Sequence, residues 1–273
     1  GEIAYGGRPF EVTSANNPND LQLRSNDELW HKENLLNLVI QRFDKDWKYG
    51  AIVDADFLFS RHDIGLECIH MLQHHEFCQM FREYILLGPN HETQRKCTGY
   101  VYGIKHNLDK DGDPVKVLVD GYYTSKGKAW GGPGGANCFR RSAFERCGGL
   151  IDFCILGSAD YYMAAGLLGT YKDTHEMKAS NSYTSAIRTW QVRAHKACNE
   201  NIGWVDSNAF HWFHGPYVSR GYDWRWKILI ENEFDPYVDI FRDSQGLLQL
   251  NPNKPKLRDD IRNYFESRNE DAK

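Results

Sequence analysis

The stretch that most restricts what this chain can fold into is Gly50-Ala51-Ile52-Val53-Asp54-Ala55-Asp56, where small and apolar residues run straight into two carboxylates. The apolar run is too short for a helix and reads as a strand buried on both faces, as in a parallel sheet. Such a strand ends at the carboxyl edge of its sheet, where open α/β folds bind their ligands. Side chains alternate along extended backbone, so Asp54 and Asp56 are expected to point the same way. Two hard oxygen donors in that position suit Mg²⁺ or Mn²⁺ shared with a diphosphate. The ordinary alternative is a strand-end turn carrying two solvated acids, because Asp-x-Asp alone is common.

The 273 residues suffice for one large α/β domain or two small ones. With no internal repeat and no linker, one domain is expected. The formal net charge of -4 implies no general field for polyanions, which leaves room only for a local basic groove. There is no apolar run of membrane-spanning length and no signal-peptide pattern. The seven cysteines are scattered, odd in number and free of any C-x-x-C, which points to reduced thiols in a cytoplasmic protein. Aromatics make up 14% of the chain and fit a cleft for flat or sugar ligands, with core packing as the alternative.

Along the chain, a helix is expected after Ser25-Asn26, with Asp27 and Glu28 in its first turn and Leu29, Leu36, Ile40 and Phe43 on its buried face. Residues 62–87 read as helical, and residues 98–104 and 115–123 as strands around a polar loop. That loop, Asp109-Lys110-Asp111-Gly112-Asp113, has calcium-loop spelling but the wrong glycine position, so it reads as a surface hairpin. His70, His74, His75 and Cys78 are placed together on one helix face, more simply as an amphipathic helix than as ligands. Trp130-Gly131-Gly132-Pro133-Gly134-Gly135 is a loop whose backbone can approach a ligand closely, though it is neither a Walker nor a Rossmann fingerprint. Further helices are expected over 139–146, capped by Gly148-Gly149, and over 161–168, 182–198 and 254–273. His211-Trp212-Phe213-His214-Gly215 precedes a basic and aromatic run that includes Arg220, Tyr222 and Arg225.

Three segments in this order resemble a nucleotide-sugar glycosyltransferase of the GT-A fold, most closely the β-1,4-galactosyltransferase type. They are Trp30 to Asn37 with Val53 to Asp56, the glycine-rich stretch from Gly132 to Asp160, and His214-Gly215 with basic residues after it. The RPFEVT and LWHKENLLN stretches are also similar to glycosyltransferases encoded by bacteriophages. The resemblance implies a Rossmann-like, mixed but mostly parallel central sheet flanked by helices. Residues 1–130 would form the nucleotide-sugar and metal half, and residues 131–273 the acceptor half. The family's first strand and helix, which hold the nucleotide base, would lie upstream of Glu2.

The same resemblance implies roles at matching positions. Asp56 would bind the metal, Asp54 the ribose or metal, and His214 would add a ligand from the far side of the cleft, with His211 as its substitute. Asp160 would be the general base for inverting, in-line displacement. Glu2, Arg8, Lys32, Ala55, Gly134 and Gly135 would contact the donor, and Arg220 and Arg225 its diphosphate. Trp130, Trp212 and Tyr222 would face the acceptor. Ser158-Ala159-Asp160 keeps only the second acid of the family's Glu-Asp pair, so sugar preference does not carry over. The expected cofactor is Mn²⁺ or Mg²⁺, the donor a UDP-sugar, and the acceptor a 5-hydroxymethyl pyrimidine in phage DNA reached by distortion or base flipping. A saccharide or other hydroxyl acceptor is the alternative within the class. A sugar nucleotidyltransferase, which would need a Gly-rich Arg/Lys signature that is not found, and a non-enzymatic sugar-binding module are the alternatives outside it.

Overall fold

A computed structural model describes residues 1–106, Leu108, two short strand segments at 118–119 and 122–123, and residues 131–169 and 179–270. Trp130 and the Asp109–Asp113 loop lie outside the described residues. The chain forms an α/β fold in which two four-stranded sheets carry the site. None of the described helices is long and apolar enough to cross a membrane.

The first sheet joins β3 (Tyr49–Val53), β5 (Phe77–Gln79), β10 (Ala136–Arg140) and β11 (Ile202–Trp204) in the order β11-β5-β10-β3. The second joins β4 (Phe57–Phe59), β6 (Glu83–Leu87), β7 (Thr93–Thr98) and β12 (Asn208–His211) in the order β4-β12-β6-β7. Each is mixed, with one parallel pair (β11 on β5, β12 on β6) among antiparallel ones. The expected mostly parallel sheet is therefore corrected. β10 enters between β3 and β5 running against both, because the chain returns to the sheet from the glycine-rich loop rather than through a right-handed crossover. The chain steps directly from the first sheet to the second three times, at Asp54–Asp56, at Met80–Arg82 and at Val205–Ser207. Val205 N–H donating to Gln79 O and Arg82 N–H donating to Ser207 O tie the last two crossings together.

Short strands explain several departures from the expected elements. β3 is an edge strand with alternating exposure, not a strand buried on both faces, and Val53 stays 42% exposed. Residues 62–87 divide into α2 (Ile64–Met71), β5 and β6. Their apolar residues alternate over runs too short for the helical and extended periods to be told apart. Cys78 thus lies in β5, away from His70, and His75 Nδ1 pairs with Asn201. Residues 98–104 contain α3 (Tyr100–Lys105) rather than a strand. The first helix, α1 (Lys32–Ile40), begins six residues after Asn26, because Ser25 closes β2 (Gln22–Ser25) and its hydroxyl caps Asp27 N–H in a turn. Phe43, beyond α1, is exposed.

The remaining expected helices form with shifted ends: α4 (Arg141–Cys147), with Phe139 and Arg140 instead closing β10, α5 (Ala159–Leu167), α6 (Asn181–Cys198) and α8 (Pro255–Ser267), which ends before residue 268. Gly148 ends α4 in the left-handed region at φ 78°, a conformation that favours glycine. These helices bury Phe144, Ile155, Tyr162, Tyr183, Ile187, Trp190, Ile261 and Tyr264 in the larger core. A smaller core of Leu72, Met80, Phe81, Val205 and Ala209 fills the angle between the two sheets. All seven cysteines are buried and unbridged. The pair β1 (Glu2–Tyr5) and β2 is parallel, and β13 (Ile240–Arg242) with β14 (Leu248–Leu250) forms a hairpin that carries α1 on its backbone.

Candidate functional site

The end of β3 and the start of β4 are separated by the turn Asp54-Ala55-Asp56, closed by Phe57 N–H donating to Asp54 O. The turn breaks the alternation expected for an extended chain, so the two carboxylates part. Asp54 turns to Lys32 at the start of α1 and forms an ion pair with its ammonium. Burial pulls the Lys32 pKa down, but the charge of Asp54 outweighs it and holds the ammonium above its ordinary value. Asp56 turns instead to two histidines. Ala55 is exposed at the crest between them.

Strand pairing brings the histidines there. β12 pairs antiparallel with β4 so that His211 lies opposite Phe57, and Trp212 N–H donates to Asp56 O at 2.9 Å. Asp56 Oδ2 is then 3.4 Å from His211 Nε2 and 3.1 Å from His214 Nε2. One ligand atom from each of the three residues falls within 4.8 Å of the others, the one such cluster among the described residues. Burial lowers the His211 pKa to about 4, and burial followed by the neighbouring Arg220 charge lowers that of His214. Both rings are therefore neutral near pH 7, the form that ligates metal. Asp56 Oδ1 is buried and has no hydrogen-bond partner among the described residues. A buried, unpartnered carboxylate oxygen on a residue facing two neutral imidazoles is what a divalent cation satisfies. Two nitrogens and one carboxylate favour a transition ion such as Mn²⁺ over Mg²⁺, which prefers all-oxygen shells.

The glycine-rich loop closes the other side. Gln79 is buried and anchors it, donating from Nε2 to Gly132 O at 2.7 Å while its Oε1 accepts from Val101 N–H. Gly135, at φ 87°, lies against the Phe57 ring, and its carbonyl accepts from Asp54 N–H at 2.7 Å. Gly134 packs on the Asp160 carboxylate so closely that a Cβ there would collide with it. Asp160 stands in the first turn of α5, and its Oδ1 accepts from Tyr161 N–H. Burial raises its pKa, against the opposing effects of Lys32, that N–H group and Arg225. A carboxylate so raised is a better proton acceptor than an ordinary one. Lys32, Glu33, Asp54, Gly134, Gly135 and Asp160 line one cavity. A second depression, lined by Tyr5, Arg8, Trp30 and Phe265 among others, shares the Lys32 wall with the first.

The remaining sequence candidates divide between the rim and the interior. Arg220 donates from a terminal nitrogen to His214 Nε2 at 2.8 Å. Trp212 is 36% exposed at the rim, edge-on to His91, and Tyr222 is 41% exposed. Arg225 is corrected from a ligand contact to a support. It is 4% exposed, donates to Ser158 Oγ and Tyr264 Oη, and lies over the Tyr222 and Trp226 rings. It thereby holds Ser158, whose φ of 69° begins α5, and sets the direction of Asp160. Glu2 is likewise engaged by its own chain. Its carboxylate accepts from the N–H groups of Glu11, Val12 and Thr13 and from the Thr13 hydroxyl, which lowers its pKa to about 2.

Two acids escaped the sequence reading. Glu33, adjacent to Lys32, is buried, and that burial raises its pKa to about 7. Glu270, past the end of α8, approaches His214 from outside. The helical position of Glu33 on the face that also carries Leu36 was the available signal for the first; nothing local pointed to the second. Comparison with protein-family models, with curated proteins and with solved structures finds no match for this chain.

Proposed function

We propose that this chain is a metal-dependent inverting glycosyltransferase with a GT-A-like fold, using a nucleoside diphosphate sugar, with UDP-sugars first in line. What supports the reading above all is the meeting, around one turn, of the Asp56–His211–His214 cluster, the Asp54–Lys32 pair and the Gly134-packed Asp160. Asp56, His211 and His214 would hold the cation, which when bound would supply Lewis-acid stabilisation of the departing diphosphate. Lys32 and Arg220 add positive charge beside those phosphate oxygens. The glycines at 134 and 135 let the sugar approach backbone. Asp160 takes the proton of the acceptor hydroxyl as its oxygen bonds to the anomeric carbon and the bond from that carbon to the diphosphate oxygen breaks. Nucleoside diphosphate leaves, and configuration inverts.

For the acceptor, the exposed Trp212, Tyr222 and Trp224 rings favour a flat partner. The acceptor proposed is the hydroxymethyl group of a modified pyrimidine in DNA. The test is donor turnover with Mn²⁺ over a panel of UDP-sugars, with hydroxymethylcytosine-containing or unmodified DNA and nucleoside mass spectrometry. A hexose or pentose mass gain on the modified base, reduced at least a thousandfold in Asp160→Asn, is the expected result. UDP release without a DNA product would move the acceptor to saccharides. A protein that neither releases nor binds UDP would overturn the transferase reading. Two histidines and a carboxylate also serve ferrous iron in oxygenases, so Fe²⁺ and O₂ consumption without UDP turnover would replace it.

A further inference from the structure

We infer that Glu270 is the outer partner of His214: a positioning residue that orients this imidazole and so makes the segment after α8 part of the metal centre. The inference rests on the metal-centre reading above and extends it to a residue outside the donor set. His214 Nε2 faces Asp56 Oδ2 at 3.1 Å and receives a guanidinium N–H of Arg220 at 2.8 Å. A guanidinium has no acceptor, so Nε2 must present its lone pair, and the proton of the neutral ring resides on Nδ1. The group facing Nδ1 is Glu270 Oε1, 3.9 Å away. A carboxylate on the far nitrogen of a ligating histidine orients the ring and raises its basicity, and losing one commonly costs 10–100-fold in metal affinity.

The surroundings hold Glu270 in place. Arg268, 6% exposed, pairs with its carboxylate and is itself fixed over the Trp30 and Tyr264 rings, with its guanidinium carbon 5.0 and 5.9 Å from their centroids. On the other side Gly215, at φ 86°, packs on the backbone of Asn269 and Glu270 with no space for a side chain. The turn that follows His214 and the segment that follows α8 therefore fit against each other at both a side chain and a main chain. An exposed glutamate pairing by chance would need neither the buried arginine nor the glycine.

Mn²⁺ affinity of the full chain, measured by the paramagnetic resonance of free Mn²⁺, tests this without reference to turnover. Asp56→Ala is expected to abolish binding, and Glu270→Ala to weaken it 10–100-fold. Glu270→Gln, whose amide oxygen can still face Nδ1–H, should recover most of the loss. Glu266→Ala, which removes the same charge from the exposed face of α8, should change affinity less than twofold. In metal-free protein, long-range proton–nitrogen spectra should show His214 as the Nδ1–H tautomer, and Glu270→Ala should shift the Nδ1 resonance while the tautomer stays. Normal Mn²⁺ affinity in Glu270→Ala, with Asp56→Ala still inactive in binding, would overturn the role of Glu270 alone. No Mn²⁺ binding by the unaltered chain would overturn the metal centre, and this role with it.

Discussion

Glu33 shows how much a single buried proton can say. Its side chain is enclosed beside Lys32 and Asp160, and burial raises its pKa from 4.5 to about 7. Native protein therefore keeps a proton that the unfolded chain releases between about pH 4.5 and 7. The stability tied to that proton is complete below this window and is lost as pH rises through it. Glu33→Gln should flatten the decline by on the order of 2 kcal/mol, as read from urea midpoints of both proteins across pH 4 to 8. Parallel pH profiles for the two would show that Glu33 ionises normally. The same scale separates what the sequence could tell about the site. Asp56, His214 and Asp160 were legible as chemistry-bearing types in a recognisable order. The divergence of Asp54 from Asp56 was not, because a single turn hydrogen bond at Asp54 O reverses the expected alternation. Nor was the burial of Arg225, since an arginine under a helix start and one at a diphosphate read alike until the packing is seen.

At the level of elements, α1 is held less by its apolar face than by two asparagines. Asn34, fully buried, accepts from Leu248 N–H and donates to Gly246 O, docking the helix on the β13–β14 hairpin. Asn37 exchanges hydrogen bonds with both backbone groups of Leu150. Asn34→Ala would leave a buried N–H and a carbonyl without their partner and should cost about 2–3 kcal/mol in chemical denaturation. Loss of less than about 0.5 kcal/mol would mean that water replaces the amide. These asparagines lie in the LWHKENLLN stretch, so part of what made that stretch distinctive is architecture. Long amphipathic segments such as α6 and α8 were legible, because many turns average out local ambiguity. Strands of three residues such as β4, β5 and β11 were not. Their identity depends on neighbours contributed from elsewhere in the chain.

For the whole molecule, the candidate centre joins segments distant in sequence, with Asp56 on the turn between β3 and β4 and His211 and His214 at and just after the end of β12. A cation bound there links them only in the folded state, so it should stabilise that state by mass action. At Mn²⁺ a hundredfold above its Kd the gain is about 2.7 kcal/mol, which should raise the melting temperature by roughly 5 °C. Excess chelator should reverse the shift, and Asp56→Ala should abolish it. A melting temperature indifferent to both Mn²⁺ and chelator would argue against a resident ion. Mixed sheets also explain why the overall architecture was only half legible. Composition and periodicity give α/β, while the direction of β10 is decided by the route of the glycine loop.

The register of β4 against β12 has a consequence in time as well as space. β12 is an interior strand whose partners, β4 and β6, emerge from the ribosome long before it does. Until β12 pairs with them, Asp56 lacks the two imidazoles that complete the cluster. A nascent chain can thus acquire its first sheet contacts early, yet it cannot assemble this cluster until His211 and His214 are out and β12 has paired. Metal uptake would follow the pairing of β12, and a chain that stops before it would stay inert.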